Sequence, residues 1–254
     1  MTLYLIIFFI LGILLGSFYN VVGYRLPKGE SIISPPSHCP KCKHRLMPSE
    51  LIPIFSYIFL KGRCKHCGEK IPLFYPMIEF STGLLFAVSF YSYHFKLELI
   101  IALVLVSLLM IIIVSDLNYF IINDSILVIA SIIILGVKYF DSGWMELLRS
   151  FGGGVLLFSV MYIIMLLGNF IFKKESLGGG DVKLMFVAGL VLHPLLGVFS
   201  IFLSSFIALI PSAILYYKSG EHVIPFGPFI LFSILILYLM KIDISTIYNF
   251  INML

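Results

Sequence analysis

Charge is scarce in this sequence. Asp, Glu, Lys and Arg make up 12% of its 254 residues against 60% for apolar types, and mean hydropathy is +1.08. A soluble domain carries about twice that share of charge, so an aqueous globular protein is excluded and an integral membrane protein is indicated. Dense basic runs with interleaved aromatics are also missing, so the net charge of +4 is no footprint of nucleic-acid binding. No basic residue precedes the first apolar run and no small-residue cleavage pattern follows it, so that run is expected to persist as a span rather than leave as a secretory signal. No strand-like run leads into a Gly-rich turn, which removes the doubly wound nucleotide fold. No internal repeat is visible. Cysteine is absent outside residues 39 to 67.

What is present in quantity is apolar sequence. Runs near 2–22, 76–94, 98–115, 122–140, 151–171, 182–194, 196–217 and 224–240 predict an all-α polytopic membrane protein with about eight helical spans. The sixth run is short for a hydrocarbon core of about 30 Å, which takes about 20 helical residues. The organisation expected is a first span over 1–22, a polar loop domain over 23–75, and a multi-helix membrane domain over 76–254. If the loop is cytoplasmic and the spans alternate, thirteen Lys and Arg residues fall on the cytoplasmic side, from Arg25 through Lys173, Lys174, Lys183 and Lys218. Lys96, Lys138, Arg149 and Lys241 fall on the other. Cytoplasmic loops are enriched in basic residues, so the N-terminus is expected outside.

All four cysteines lie in the loop, as "CPKC" (Cys39, Cys42) and "CKHC" (Cys64, Cys67). Two Cys-x2-Cys pairs at this separation predict a tetrahedral Zn²⁺ site, each pair bending into a turn that presents two thiolates. Two disulfides or two redox pairs are the alternatives; a reducing cytoplasm disfavours the first, and the lack of a strand-to-helix setting disfavours the second. His44 and His66 could each replace a ligand or simply be solvated. A closed Cys₄ shell leaves no position for water, so the metal is expected to fold the loop and do no hydrolysis.

The acids of the spans are few. Glu79, Asp116, Asp124 and Asp181 fall at expected cytoplasmic ends, whereas Glu98, Asp141, Glu146 and Asp243 fall at the other side. Span three runs inward to Asp116 and span six outward from Asp181, so two carboxylates 65 positions apart arrive at a similar depth. Two acids that meet in a low-dielectric setting cannot both ionise readily, and one keeps its proton. That arrangement is the chemistry of an aspartic protease, one carboxylate activating water and the other polarising the scissile carbonyl. Gly178 to Gly180 are expected to adopt backbone conformations closed to other residues and to allow close approach. A bland reading stands beside this one: Asp181 N-caps a helix, partly solvated at the membrane surface, and Asp116 is a solvated helix end. Asp124 reads as the cap of span four, and Glu79 as either a helix-start charge or a functional group.

Taken together, these segments resemble the type IV prepilin peptidase family, membrane-embedded GxGD-type aspartic proteases. "GSFYNVVGYRLPKGESI" is similar to the family's opening GSFxNVVxxRLPxG, the cysteine pairs to its paired cysteines, and "GEKIPLFYPMIE" to its segment ending YPxxE, which closes here on Glu79. "SDLNYFIIND" is similar to the first catalytic segment, "GGGDVK" to GxGDxK, and "IPFGP" to the motif before the last span. Asn123-Asp124 stands where many members have Pro-Asp. The resemblance implies catalytic roles for Asp116 and Asp181, with Gly178, Gly180, Lys183 and Glu79 in support. It also implies cleavage of the basic leader of type IV prepilins after Gly, followed by methylation of the new amino group with S-adenosylmethionine. A proton-coupled transporter, a metal-stabilised scaffold and a peptidase without methyl transfer are the competing readings.

Overall fold

The computed structural model of the chain describes residues 1–173, 177–219 and 225–242. Lys174, Ile224 and Asp243, invoked above, lie outside them. Among the described residues nine helices follow in order: α1 (Thr2–Arg25), α2 (Phe55–Phe59), α3 (Phe74–Tyr93), α4 (Glu98–Tyr119), α5 (Asp124–Ser142), α6 (Trp144–Phe172), α7 (Gly179–Val191), α8 (Pro194–Ser219) and α9 (Gly227–Leu239). There is no strand among them, only two isolated antiparallel bridges in the loop between α1 and α3. The all-α class is as expected, and every helix except α2 coincides with an apolar run.

The expectation of about eight crossings is not matched by helix length and composition. Among the described residues five helices are long and apolar enough to cross a membrane: α1 with its continuation to Lys28, then α4, α5, α6 and α8. Helix α3 has 20 residues but falls short in composition, and α7 and α9 have 13 residues each.

Helix α4 is the centre. Two thirds of its apolar window (67%) is buried within the protein, against 11% for α6, which therefore turns most of its side chains to lipid. Lipid tails are as apolar as Leu, so helix association in a bilayer relies on close fit, and small residues mark the contacts. A Cβ on Gly12 of α1 would lie 2.7 Å from the Gly83 Cα of α3, and one on Gly153 of α6 would lie 2.7 Å from the Gly189 carbonyl of α7. Both contacts bring backbone against backbone. At the end of the bundle away from the loop, the Tyr93 hydroxyl donates to the Tyr238 carbonyl (2.5 Å) and the Tyr238 hydroxyl to the Glu98 carbonyl (3.1 Å), tying α3, α9 and α4 together.

The opposite end receives the loop. Tyr24 at the end of α1 lies against Tyr75 at the start of α3 (ring centroids 5.5 Å) and Tyr119 at the end of α4 (6.3 Å), and Lys28 sits over the Tyr119 ring. The end of α4, the starts of α5, α7 and α9, and both stems of the loop meet here.

Candidate active site and metal centre

Helix α4 stops one turn beyond Asp116. Phe120 takes a left-handed conformation (φ 55°, ψ 36°) and its N–H bonds to the Asp116 carbonyl, so the Asp116 side chain leaves the last full turn of a central helix. Its carboxylate faces the backbone N–H of Gly227 at the start of α9. Asp181 lies in the first turn of α7, whose N-cap is Gly178, and the helix dipole there favours an acidic side chain. The two carboxylates are near enough for Asp181 to feel the charge of Asp116. They are 6% and 9% exposed. Neither is a solvated helix end, and Asp181 does not cap its helix; both bland readings are corrected.

Residues with no chemistry of their own shape this corner. A Cβ on Gly180 would lie 3.0 Å from Ile122, and one on Gly227 would lie 2.8 Å from Ile122 Cδ1, 3.1 Å from Asp116 Oδ2 and 3.3 Å from Leu184. Ile122, in the α4–α5 link, thus wedges against the backbones that precede Asp181 and face Asp116. Gly178 would carry its Cβ 3.2 Å from Asp181 Oδ2. Gly178 and Gly180 of "GGGD" therefore serve close approach, whereas Gly179 faces open space. The expectation of unusual backbone conformation fails, since Gly178 is extended (φ −67°, ψ 132°) and Gly179 and Gly180 are helical.

Lys183 and Asp124 meet each other. The Lys183 ammonium donates to both Asp124 oxygens at 2.7 and 2.8 Å in a largely exposed pair. Asp124 is thus not the cap of α5; Asn123 is, its Oδ1 accepting from the Ser125 N–H at 3.0 Å. This pair edges a cavity of about 590 Å³ between α5, α6 and α7, otherwise lined by groups such as Leu127, Phe151, Phe158 and Phe186. Such a lining accepts an apolar chain but offers nothing for acid–base chemistry.

Glu79 belongs to the loop attachment. It is buried (8% exposed), accepts from the Ile54 N–H at 2.8 Å and meets the Ser17 side chain of α1. Its partners join the loop to the α1–α3 pair.

The two cysteine knuckles are near copies. Cys39 and Cys64 each donate their N–H to a carbonyl five residues on (His44, Glu69) and accept from the N–H four residues on (Lys43, Gly68). Lys43 and Gly68 both have positive φ, 58° and 72°, as the tight turn demands. Cys39 Sγ lies 3.8 Å from Cys67 Sγ, Cys42 Sγ lies 4.0 Å from Cys64 Sγ, and all four sulfurs fall within 4.8 Å of one another. A tetrahedron with metal–sulfur bonds of about 2.3 Å has sulfur–sulfur edges of about 3.8 Å, so the cluster has the dimensions of a metal site. The cysteines are unbridged; the N–H groups of Cys42 and then Lys41 hold the Cys39 thiol below its ordinary range, while, against a backbone bond at His44, burial and the neighbouring thiols push that of Cys42 up. His44 and His66 are not in the cluster; their rings lie against each other, tilted by 40°, with centroids 4.4 Å apart.

Gly227, Ile122 and Asn123 went unnamed in the sequence reading as site or cap residues, although "IPFGP" contained the first and "IIND" the other two.

Known proteins bear out the resemblance. Residues 10–93 match the bacterial Peptidase A24 N-terminal domain, and residues 103–213 match the type IV leader peptidase family. A protein of Bacillus subtilis named prepilin leader peptidase/N-methyltransferase is 39% identical over 188 residues, 73% of each chain. Relatives of the same name from Vibrio cholerae (32% identical, 92% of this chain and 96% of the relative) and Neisseria gonorrhoeae (30%, 86% and 84%) align over still more of their length. No solved structure matches the chain. With two successive domain matches and a relative 39% identical across most of its length, the chain is an enzyme that belongs to the type IV leader peptidase family.

Proposed function

We propose that this protein cuts the short basic leader from type IV prepilins after its terminal glycine, using Asp116 and Asp181, and then methylates the exposed amino group, usually that of phenylalanine. The observation that carries the peptidase half is the burial of two aspartates from distant helices, Asp116 facing the Gly227 backbone and Asp181 close enough to interact with Asp116. Two such carboxylates hold one proton between them. The ionised one takes a proton from water as the water oxygen attacks the scissile carbonyl carbon, and the other gives its proton to the carbonyl oxygen. Collapse of the adduct breaks the C–N bond. The proton taken from water passes to the leaving amine, and the second carboxyl regains its own.

The supporting residues hold this arrangement in place. Gly178 and Gly180 keep the approach to Asp181 open, Lys183 occupies Asp124 and keeps that acid out of the pair, and Glu79 anchors the loop. Cys39, Cys42, Cys64 and Cys67 would hold Zn²⁺ in a closed shell that staples a loop too small to build its own core. We assign residues 23–75 to the methyl-transfer part, with 1–22 as the first span and 76–254 as the peptidase part. S-adenosylmethionine, when bound, supplies a methyl group on sulfonium; the chain's task is to bind it and orient the freed amine. The excess of thirteen basic residues over four, counted for alternating spans, supports a cytoplasmic loop and cytoplasmic aspartates in the cell membrane, with the N-terminus outside.

Membranes holding the protein, incubated with a prepilin and S-adenosylmethionine, should yield a pilin whose mass has lost the leader and gained one methyl. An unchanged prepilin mass sinks the peptidase reading, and a trimmed but unmethylated product sinks only the second half.

A further inference from the structure

Glu50 is oddly placed for an acid on a polar loop. Its side chain is only 6% exposed. One oxygen is used, accepting from the Met47 N–H at 2.8 Å. The other, Oε1, is buried and has no partner. Buried acceptors are nearly always met by a donor, and no group of the described residues supplies one here, so this oxygen is open to a donor that arrives from outside.

The surroundings say which kind. Glu50, His44, Met47, Lys65 and His66 line one cavity of about 460 Å³, a volume suited to a compact organic ligand. The His44 and His66 rings, tilted by 40° with centroids 4.4 Å apart, form an aromatic wall, and exposed Lys65 lines the same cavity. A second metal ion is a poor occupant, because the four cysteines are the only group of metal-ligating side chains that converge among the described residues. The structure assigns this cavity to the adenosyl methyl donor: the ribose diol donates to Glu50, the adenine lies against the imidazole pair, and the donor's carboxylate meets Lys65. This rests on the methyl-transfer half of the proposed function and deepens it by giving the donor an address.

The address also explains why a metal staple and methyl transfer share one loop. His44 lies two residues beyond Cys42 and His66 lies between Cys64 and Cys67, so the knuckles that hold the metal also aim both rings.

The test is equilibrium binding of S-adenosylmethionine to the full-length, zinc-loaded protein in nanodiscs, with zinc content measured on the same samples. Glu50→Gln keeps an oxygen for the Met47 N–H but loses the charge and the idle acceptor, and should weaken binding at least about tenfold at unchanged zinc content. His66→Ala and Lys65→Ala, both at exposed positions, should each weaken it by a smaller factor. Wild-type affinity in all three variants overturns the assignment, also when zinc is lost from Glu50→Gln and only the two surface changes can be read. Wild-type membranes are scored in parallel for methyl gain on a prepilin. Methylation by the parent with no effect of the three changes sinks the cavity alone, whereas a parent that neither binds the donor nor methylates sinks the methyl-transfer reading as well.

Discussion

The cysteine loop and the aspartate corner are assembled by opposite means. Each knuckle is closed by bonds between residues four or five apart, and only the pairing of the two knuckles is long-range. The aspartate corner has no local part: Asp116 comes from the end of α4, Asp181 from the start of α7, and the groups between them from the α4–α5 link and α9. A metal site can thus be recognised from spacing alone, whereas a carboxylate pair 65 positions apart needs the path of every helix between.

The largest expected effect separates the two regions outright. Asp116→Asn or Asp181→Asn should lower leader cleavage by about 10²–10⁴-fold, the range a general acid–base group supplies, with metal content unchanged. Normal processing by either variant, read by gel shift of a prepilin, removes the pair from the mechanism. Next comes the converse: Cys39→Ser with Cys42→Ser should abolish metal binding and make residues 26–73 sensitive to protease, while methylation falls further than cleavage. If cleavage falls first, the loop is part of the peptidase frame and the contrast collapses.

A smaller change should sharpen the contrast from inside the corner. Gly227→Ala would push a methyl group onto Ile122 and Asp116, and a displacement of a few tenths of an ångström should cost roughly tenfold in cleavage with the protein still folded and metal-loaded. The smallest effect belongs to Lys183→Ala. Its partner is Asp124 in an exposed pair, so thermal stability should change by less than about 1 kcal/mol. A loss of cleavage as large as that of Asp181→Asn would show that Lys183 acts on the reaction rather than on Asp124.

Helix order, the aspartates and the cysteines were legible in the sequence because each has a strong local signature: apolar runs, rare acids at their ends, paired thiols. What stayed hidden depended on contacts. Asn123 and Asp124 are adjacent and both suited to capping, and only the arrival of Lys183 from α7 decides which one caps. Glu79 had two equal readings until its oxygen met the Ile54 N–H, 25 residues away in the loop. The packing of the aspartate corner depends on Ile122 against Gly180 and Gly227, and none of the three carries a charge. The count of about eight crossings is not confirmed by helix length and composition, since α7 and α9 are apolar yet have 13 residues each, and hydropathy measures composition more reliably than length.

The stems of the loop leave α1 and α3 at neighbouring points, with Tyr24 and Tyr75 ring to ring and the two helices clasped backbone to backbone at Gly12 and Gly83. In evolutionary terms the segment between them is a cassette. A gene could drop, swap or lengthen it by joining two adjacent helix ends, with no helix rethreaded through the bilayer, and so gain or shed a second reaction while inheriting the first intact.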